Sequence, residues 1–161
     1  MLKILDSNKI TGNDNRLKGN QNFINGSTNT VIGNQNAVFG TNNLLIQGSQ
    51  NGIAGSFNAL KGNGNSIFGD KNSMLGNFNG VFGSMNAING SSNSVEGDSN
   101  EIRAGNNNIM QGQMNKIQGN GNQLRGNNNL FIGQNNTIFL SHNNTALGNQ
   151  NILAGSSSNI F

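Results

Sequence analysis

The chain has no cysteine, proline, tryptophan or tyrosine among its 161 residues, and only 9% of the residues are charged. The absence of cysteine excludes a disulfide framework, a thiolate metal site and a thiol nucleophile. No stretch approaches the roughly 18 apolar residues of a membrane span, and no signal peptide is recognisable at the start. Hydrophobic residues make up 32% of the chain, too few for the core of an ordinary globular domain.

Asparagine and glycine are abundant instead, with 38 and 24 copies, and most of them recur in one short unit. The unit reads Gly-x-x-Asn-x-φ-x, where φ is apolar, and twenty-two copies tile the chain. Its period is seven residues, with one residue inserted after Leu45, Ile102 and Ile138. A short period of this kind is typical of a solenoid. The φ residues are Ile10, Leu17, Ile24, Val31, Val38, Leu45, Ile53, Leu60, Ile67, Met74, Val81, Ile88, Val95, Ile102, Met110, Ile117, Leu124, Phe131, Ile138, Ala146, Leu153 and Ile160.

Each unit predicts one short strand followed by a corner. Asn-x-φ alternates with period two, so the asparagine and the apolar residue point to one side of the strand. Glycine every seventh residue disfavours a helix and suits a corner that needs positive φ. Stacked strands about 4.8 Å apart would bury a φ column and align identical amides in a ladder. We expect one such structural ladder to comprise Asn36, Asn51, Asn65, Asn79, Asn93, Asn108, Asn122 and Asn136.

The residue after φ reveals how many units form one coil. Counting units from Ile10, this residue is Phe in odd units (Phe39, Phe68, Phe82 and Phe139) and Ile or Leu in even units (Ile32, Ile46, Leu75, Ile132 and Leu147). A three-unit coil would not separate by parity, so two units form each coil. The sequence therefore predicts an all-β fold, a two-sided parallel β-solenoid (β-roll) of about 11 coils of 14–15 residues. We expect residues 1–161 to form a single domain, with residues 1–7 as a candidate minimal N-terminal cap.

Residues with catalytic or metal-binding chemistry are sparse and scattered. His142 is the only histidine, and it has no acid or nucleophile near it in sequence. Among the six acids, Glu96, Asp98 and Glu101 cluster in sequence but fall in two units that we expect on opposite faces. The nine lysines and arginines never form a run, which does not favour nucleic-acid binding. We expect no enzyme activity, no catalytic residue, no cofactor, no metal and no nucleic-acid partner.

Self-assembly is the function that the residue pattern favours. The Phe and the Ile or Leu positions would form two exposed apolar faces, and patches of this kind mark contact surfaces. Charges and prolines that would block strand edges are lacking near the C-terminus. We therefore expect an amyloid-like filament of this chain alone, a homopolymer stacked end to end, with lateral contacts through both faces. Its end contacts would be Leu2, Ile4, Ile160 and Phe161. Its location stays open, although a filament would lean towards the extracellular space.

The motif x-x-Asn-x-Val-x-Gly, as in residues 27–33, resembles the tandem repeat of the ice-recrystallisation-inhibition (antifreeze) proteins of grasses. The resemblance implies a β-roll with 14–15-residue coils, an inward apolar column and Asn ladders. It also implies an ice-binding surface, which in that family is a flat array of small outward residues. Here the outward threonines are Thr11, Thr30, Thr137 and Thr145, which do not fall on one face. Ice binding is therefore the alternative to the filament, and an adhesin-like shaft is the second alternative.

Overall fold

Two parallel β-sheets lie face to face and form the two sides of a β-solenoid. A computed structural model describes residues 7–45, 47–155 and 159–160, except for the side chains of residues 140, 141, 159 and 160. Each of the two sheets contains eleven strands, and successive strands alternate between the sheets. Every strand pairs in parallel with the strand two positions along the chain, as Val81 of one strand pairs with Ile67 and Val95 of its neighbours. The predicted fold class is confirmed, including two units in each coil.

The odd-numbered strands form sheet A and the even-numbered strands form sheet B. Sheet A consists of β1 Lys9–Thr11, β3 Phe23–Asn25, β5 Ala37–Phe39, β7 Gly52–Ala54, β9 Ser66–Phe68, β11 Gly80–Phe82, β13 Ser94–Glu96, β15 Ile109–Gln111, β17 Gln123–Asn127, β19 Thr137–His142 and β21 Ile152–Ala154. Sheet B consists of β2 Arg16–Lys18, β4 Thr30–Ile32, β6 Leu44–Leu45, β8 Ala59–Lys61, β10 Ser73–Leu75, β12 Ala87–Asn89, β14 Glu101–Arg103, β16 Lys116–Gln118, β18 Leu130–Ile132, β20 Thr145–Leu147 and β22 Asn159–Ile160.

The φ residues form the core between the two sheets. From Ile24 to Leu153 each of them is at most 4% exposed. Ile10 is exposed and Leu17 is half-buried, because both lie in the first coil. Each strand thus contributes one buried apolar side chain, so 32% hydrophobic residues are enough for this elongated core.

The asparagine two residues before φ is buried in the units from Asn22 to Asn144, and Asn79 shows how its amide is hydrogen-bonded. The amide Nδ2 of Asn79 donates to Oδ1 of Asn65 at 3.2 Å and to the carbonyl oxygen of Gly90 at 2.8 Å. Its Oδ1 accepts from the backbone N and the Nδ2 of Asn93, each at 3.0 Å. Two donors and two acceptor sites use the whole capacity of a primary amide. Both sheets contain such a ladder, as the sequence predicts. Its bonds link each coil to the coils before and after it.

The glycine that follows most strands lies against the backbone of the next coil. A Cβ built on Gly62, whose φ is +135°, would lie 1.7 Å from the carbonyl oxygen of Gly76 in the next coil. That carbonyl accepts the Nδ2 of Asn65, so it cannot move without breaking the ladder. Two constraints therefore select glycine at this position: the positive φ and the neighbouring carbonyl.

Gly62→Ala should destabilise the solenoid by more than about 3 kcal/mol, because either the backbone must shift or the Asn65 ladder must break. Gly80 is the matched control, since it lies within strand β11 with open space at its Cβ position. Gly80→Ala should be neutral or stabilise by about 0.4–1 kcal/mol through a less flexible unfolded chain. Chemical unfolding followed by circular dichroism measures both variants. Equal losses for the two alanines would contradict the close approach described above.

Asn79→Ala should cost at least about 3 kcal/mol, because it leaves several buried polar groups of Gly90, Asn93 and Asn65 without a partner. Asn77 provides the control, as its Oδ1 accepts from the backbone N of Asn63 at 2.8 Å in an exposed ladder. Water can replace that acceptor, so Asn77→Ala should cost no more than about 1 kcal/mol. The same unfolding measurement applies. A cost for Asn77→Ala equal to that for Asn79→Ala would mean that burial of the amide is not what matters.

Candidate functional faces

The outward side chains of each strand flank the buried φ residue, so each sheet displays two outward columns. In the middle of sheet A, from β5 to β13, the column before φ contains only small residues: Ala37, Gly52, Ser66, Gly80 and Ser94. The column after φ contains Phe39, Ala54, Phe68, Phe82 and Glu96. A shallow trough lined by Ser66, Gly80 and Ser94 therefore lies beside a bulkier ridge.

The aromatic rings of the ridge are ordered by the coil spacing. The rings of Phe68 and Phe82 stack with centroids 5.0 Å apart and planes only 2° from parallel. Towards the N-terminal end, Phe23 lies in the column before φ and contacts Phe39 of the ridge, with ring centroids 5.2 Å apart and planes tilted by 37°. Stacked rings of this kind add to the stability of adjacent strands. Phe68 and Phe82 thus form a stacked pair, and Ala54 separates this pair from Phe39 in the same column.

Sheet A is uncharged over a long distance. The outward residues of β3, β5, β7, β9 and β11 include no lysine, arginine, aspartate or glutamate, and we call this surface the uncharged face. Its five strands span about 20 Å along the stack at the usual strand spacing. Lys9 borders it at one end and Glu96 at the other.

Sheet B is interrupted by charge. Strands β2, β8, β14 and β16 each carry lysine, arginine or glutamate, so between them no more than two uncharged strands follow one another. Glu101 pairs with Arg103 on its own strand and with Lys116 on the next, where Nζ lies 3.6 Å from Oε2. The hydrogen bond from Arg103 is the main reason that the pKa of Glu101 is below its ordinary value. This carboxylate stays ionised at neutral pH, and with Arg103 and Lys116 it forms a charged cluster that separates the apolar parts of sheet B.

Residues 10–104 match the family of the grass antifreeze β-roll. The chain belongs to that family. The matched region contains the whole uncharged face, and the match confirms the resemblance seen in the repeat motif. No curated protein matches the chain in sequence.

Two solved structures show a weak likeness to this β-roll. LpxA, a UDP-N-acetylglucosamine acyltransferase from Bacteroides fragilis, is 14% identical, with a TM-score of 0.29 and coverage of 99% of this chain and 68% of that one. The polySia-specific acetyltransferase NeuO is also 14% identical, with a TM-score of 0.21 and coverage of 96% and 81%. Both TM-scores are too low to indicate a shared architecture.

The face residues expected from the sequence separate by sheet in this β-roll. Phe39, Phe68, Phe82 and Phe139 lie exposed on sheet A, and Leu75 and Ile132 lie exposed on sheet B. Ile32 and Leu147, also on sheet B, are half-buried. Ile46 lies outside the described residues, as do the expected end contacts Leu2, Ile4 and Phe161, and the side chain of Ile160 is not described. The role of these residues in assembly stays a prediction.

The corners of the β-roll contain a second ladder that the sequence reasoning missed. At many corners the side-chain oxygen of the residue after the glycine accepts a backbone N–H from the preceding coil, as Asn34 Oδ1 does from Asn20 at 2.8 Å. The carboxylates of Asp70 and Asp98 do the same for Ser56 and Ser84. Aligning the repeat units would have revealed this ladder, because asparagine, serine, aspartate and other polar residues fill that position along the chain.

The described residues contain no group of three or more histidine, cysteine, aspartate or glutamate side chains that could hold a metal ion. In the same part of the chain, no helix is long and apolar enough to cross a membrane. His142 occupies the corner position that in many other coils holds an acceptor of this second ladder, and its ring is exposed. The inward amides and the corner side chains bond neighbouring coils to one another. The broad surfaces available to a ligand are the two sheet faces.

Proposed function

We propose that the chain binds ice and inhibits ice recrystallisation through the uncharged face of sheet A. One observation carries the proposal, namely the five consecutive strands of that face that lack any charged residue. Membership of the grass antifreeze β-roll family supports the same function, and the whole face lies within the matched residues 10–104.

The physical argument rests on hydration. A charged side chain binds its own water tightly, and a lysine ammonium group is strongly hydrated. Water beside an apolar surface keeps its bonds to other water molecules and becomes oriented along that surface. A face that combines apolar groups with an occasional hydroxyl, repeated at every coil, can therefore hold water in a regular layer that joins an ice lattice.

The central phenylalanines are compatible with this function because they form a stacked pair rather than isolated protrusions. Phe68 and Phe82 stack in parallel, and the adjacent column of Ser66, Gly80 and Ser94 stays low and repeats with the coils. From β9 to β11 the outer surface then consists of a low column beside this stacked pair. Sheet B lacks an equally long surface, because Lys61 and the Glu101 cluster divide it.

Ser66→Lys should reduce ice-recrystallisation inhibition by at least about tenfold, since it places a strongly hydrated ammonium group in the middle of the uncharged face. Ser73→Lys is the matched control, because Ser73 holds the same exposed position before φ on the next strand, in sheet B. The readout is the lowest protein concentration that stops the growth of ice grains in a frozen sucrose solution. Circular dichroism verifies that both variants keep the wild-type fold.

Only one pattern agrees with the proposal, in which Ser66→Lys is impaired and Ser73→Lys is close to wild type. Equal loss in both folded variants would mean that the face has been assigned wrongly. A wild-type chain without inhibition at any concentration would exclude ice binding altogether.

The end-to-end filament expected from the sequence is the second candidate. It is favoured by the translational repeat of the hydrogen bonds, in which every coil offers the same donors and acceptors to the coil on either side. The backbone N of Gly83 donates to Phe68 and that of Gly97 donates to Phe82, each at 2.9 Å. The upper edge of any coil is thus complementary to the lower edge of any other, and stacked molecules would continue the ladders.

Negative-stain electron microscopy of the purified chain tests this second candidate. Unbranched filaments one solenoid wide are expected if the coils of different molecules stack. Discrete short particles at high protein concentration would contradict it and would leave the ice-binding proposal unaffected, because a face can act on a single molecule.

A further inference from the structure

Sheet B has an outer surface that the proposed ice-binding face leaves unused. Between β10 and β20, apolar side chains lie on both sides of one charged cluster. Leu75 on β10 is 48% exposed, and Ile132 on β18 is 40% exposed. The cluster between them consists of Glu101, Arg103 and Lys116. An apolar zone, a charged centre and a second apolar zone therefore follow one another along the stack.

The outward residues of this surface match in pairs when the order of the strands is reversed. Reversal about a line midway between β14 and β16 exchanges these two strands, and it also exchanges β12 with β18 and β10 with β20. Four of the exchanged pairs combine an acid with a base, a small residue with a large one, two leucines, and two hydroxyls. In that order, followed by the two remaining pairs, they are Glu101–Lys116, Ala87–Leu130, Leu75–Leu147, Ser73–Thr145, Arg103–Gln118 and Asn89–Ile132.

We propose that sheet B binds sheet B of a second copy of this chain face to face, with the two copies antiparallel. An isologous contact requires a surface that is complementary to itself, and its two-fold axis lies in the plane between the two faces. An axis parallel to the strands, midway between β14 and β16, reverses the direction of stacking. It keeps each residue before φ opposite another residue before φ, so the exchanged pairs become the contacts. The strands of the two sheets stay aligned, as in ordinary packing of sheets.

Charge complementarity is strongest at the centre of this contact. Within one chain, Nζ of Lys116 lies 3.6 Å from Oε2 of Glu101, and the lysine side chain is 62% exposed. In the dimer, Glu101 lies opposite Lys116 of the second copy, and Lys116 lies opposite its Glu101. Carboxylates and ammonium groups then alternate around the axis, and each has neighbours of opposite charge in both copies.

The apolar zones on either side are complementary in shape. A shallow hollow lies over Ala87, with Leu75 and Asn89 among its walls. Leu130 of the second copy lies opposite Ala87, so its larger side chain enters this hollow. One strand further out, Leu75 lies opposite Leu147 of the second copy, and both lose contact with water.

The charges also select the antiparallel orientation over a parallel one. An axis along the stack would oppose the two outward residues of the same strand. Glu101 would then face Arg103 of the second copy, but Arg16 would face its Lys18, a repulsive contact that offsets the attractive one. In the antiparallel dimer only β8 to β22 overlap, so Arg16 and Lys18 lie beyond the end of the second copy. No two like charges among the described residues are then opposed.

The contact is narrow, so we expect the dimer to be weak. Eight overlapping strands span about 34 Å, and a three-residue strand is about 10 Å long, which falls at the small end of the range for protein interfaces. Sedimentation over a range of concentrations should show a reversible monomer–dimer equilibrium that weakens as salt is added. Sheet A of both copies stays uncovered, so a chain that remains monomeric would exclude the dimer and leave the ice-binding proposal unaffected.

Cysteine cross-linking tests the register, because the chain contains no cysteine of its own. Q118C should be linked to its copy by a short bismaleimide, since β16 lies beside the axis and the two sites are one strand spacing apart along the stack. K61C is the matched control, because Lys61 is also exposed after φ on sheet B. Its two sites would be seven strand spacings apart, about 34 Å, and out of reach. Equal cross-linking of both variants would indicate parallel copies, and none with Q118C would exclude the contact, so either result would overturn the proposal.

A mixture of two charge variants tests the central ion pairs. K116E opposes two glutamates and E101K opposes two lysines, so each variant alone should raise the dissociation constant of the dimer by at least about tenfold. The mixture restores opposite charges at both contacts and should form a heterodimer. K18E is the control for net charge, because it makes the same change as K116E on β2, outside the overlap, and it should dimerise like the wild type.

Circular dichroism verifies that the three charge variants keep the wild-type fold. The exchanged residues suit their positions, since Lys116 and Glu101 already occupy the place before φ on neighbouring strands. A mixture that stays monomeric, or a K116E variant that dimerises as well as K18E, would show that Glu101 and Lys116 do not meet across the axis.

Discussion

The hydrogen bonds of the inward asparagines are the interaction on which the rest of the structure depends. A buried amide bonds to the amides one coil before and after it and to a glycine carbonyl of the next coil on the same side of the solenoid, as Asn79 does with Asn65, Asn93 and Gly90. Because these groups are buried, a missing partner would be costly. The need to satisfy every amide fixes the distance between coils, and that distance leaves no room for a Cβ at the glycine slot.

Once the ladders and the φ column hold the coils together, the outward positions are free to vary. Sheet A uses this freedom to present small residues beside stacked phenylalanines over five uncharged strands, whereas sheet B carries the Glu101 ion pairs. The corner residues also vary, because the second residue of a corner adopts positive φ with different side chains, such as Asn42 and Phe57. Function in this family member can therefore change by substitution at the surface without any cost to the core.

Much of the fold could be predicted from the repeat, because the period, the parity of the residues after φ and the Asn-x-φ alternation each constrain the coil. The candidate site could be predicted less well. The parity of the residues after φ places Phe68 and Phe82 outward on one sheet, but it does not show how their rings pack. The structure stacks their rings in parallel, and this depends on rotamers set by neighbouring coils rather than on any pattern in the chain.

The sequence by itself determined which residues point inward and that two units close one coil, because side-chain alternation in a strand and the seven-residue period are properties of the chain. Only the tertiary structure decided what meets across coils. The carbonyl of Gly76 fills the space beside Gly62, Lys116 reaches Glu101 from the next strand, and Asp98 bonds the backbone of Ser84. These contacts join residues 14 or 15 positions apart, and their geometry follows from the spacing between coils, which the ladder imposes only after the chain has folded.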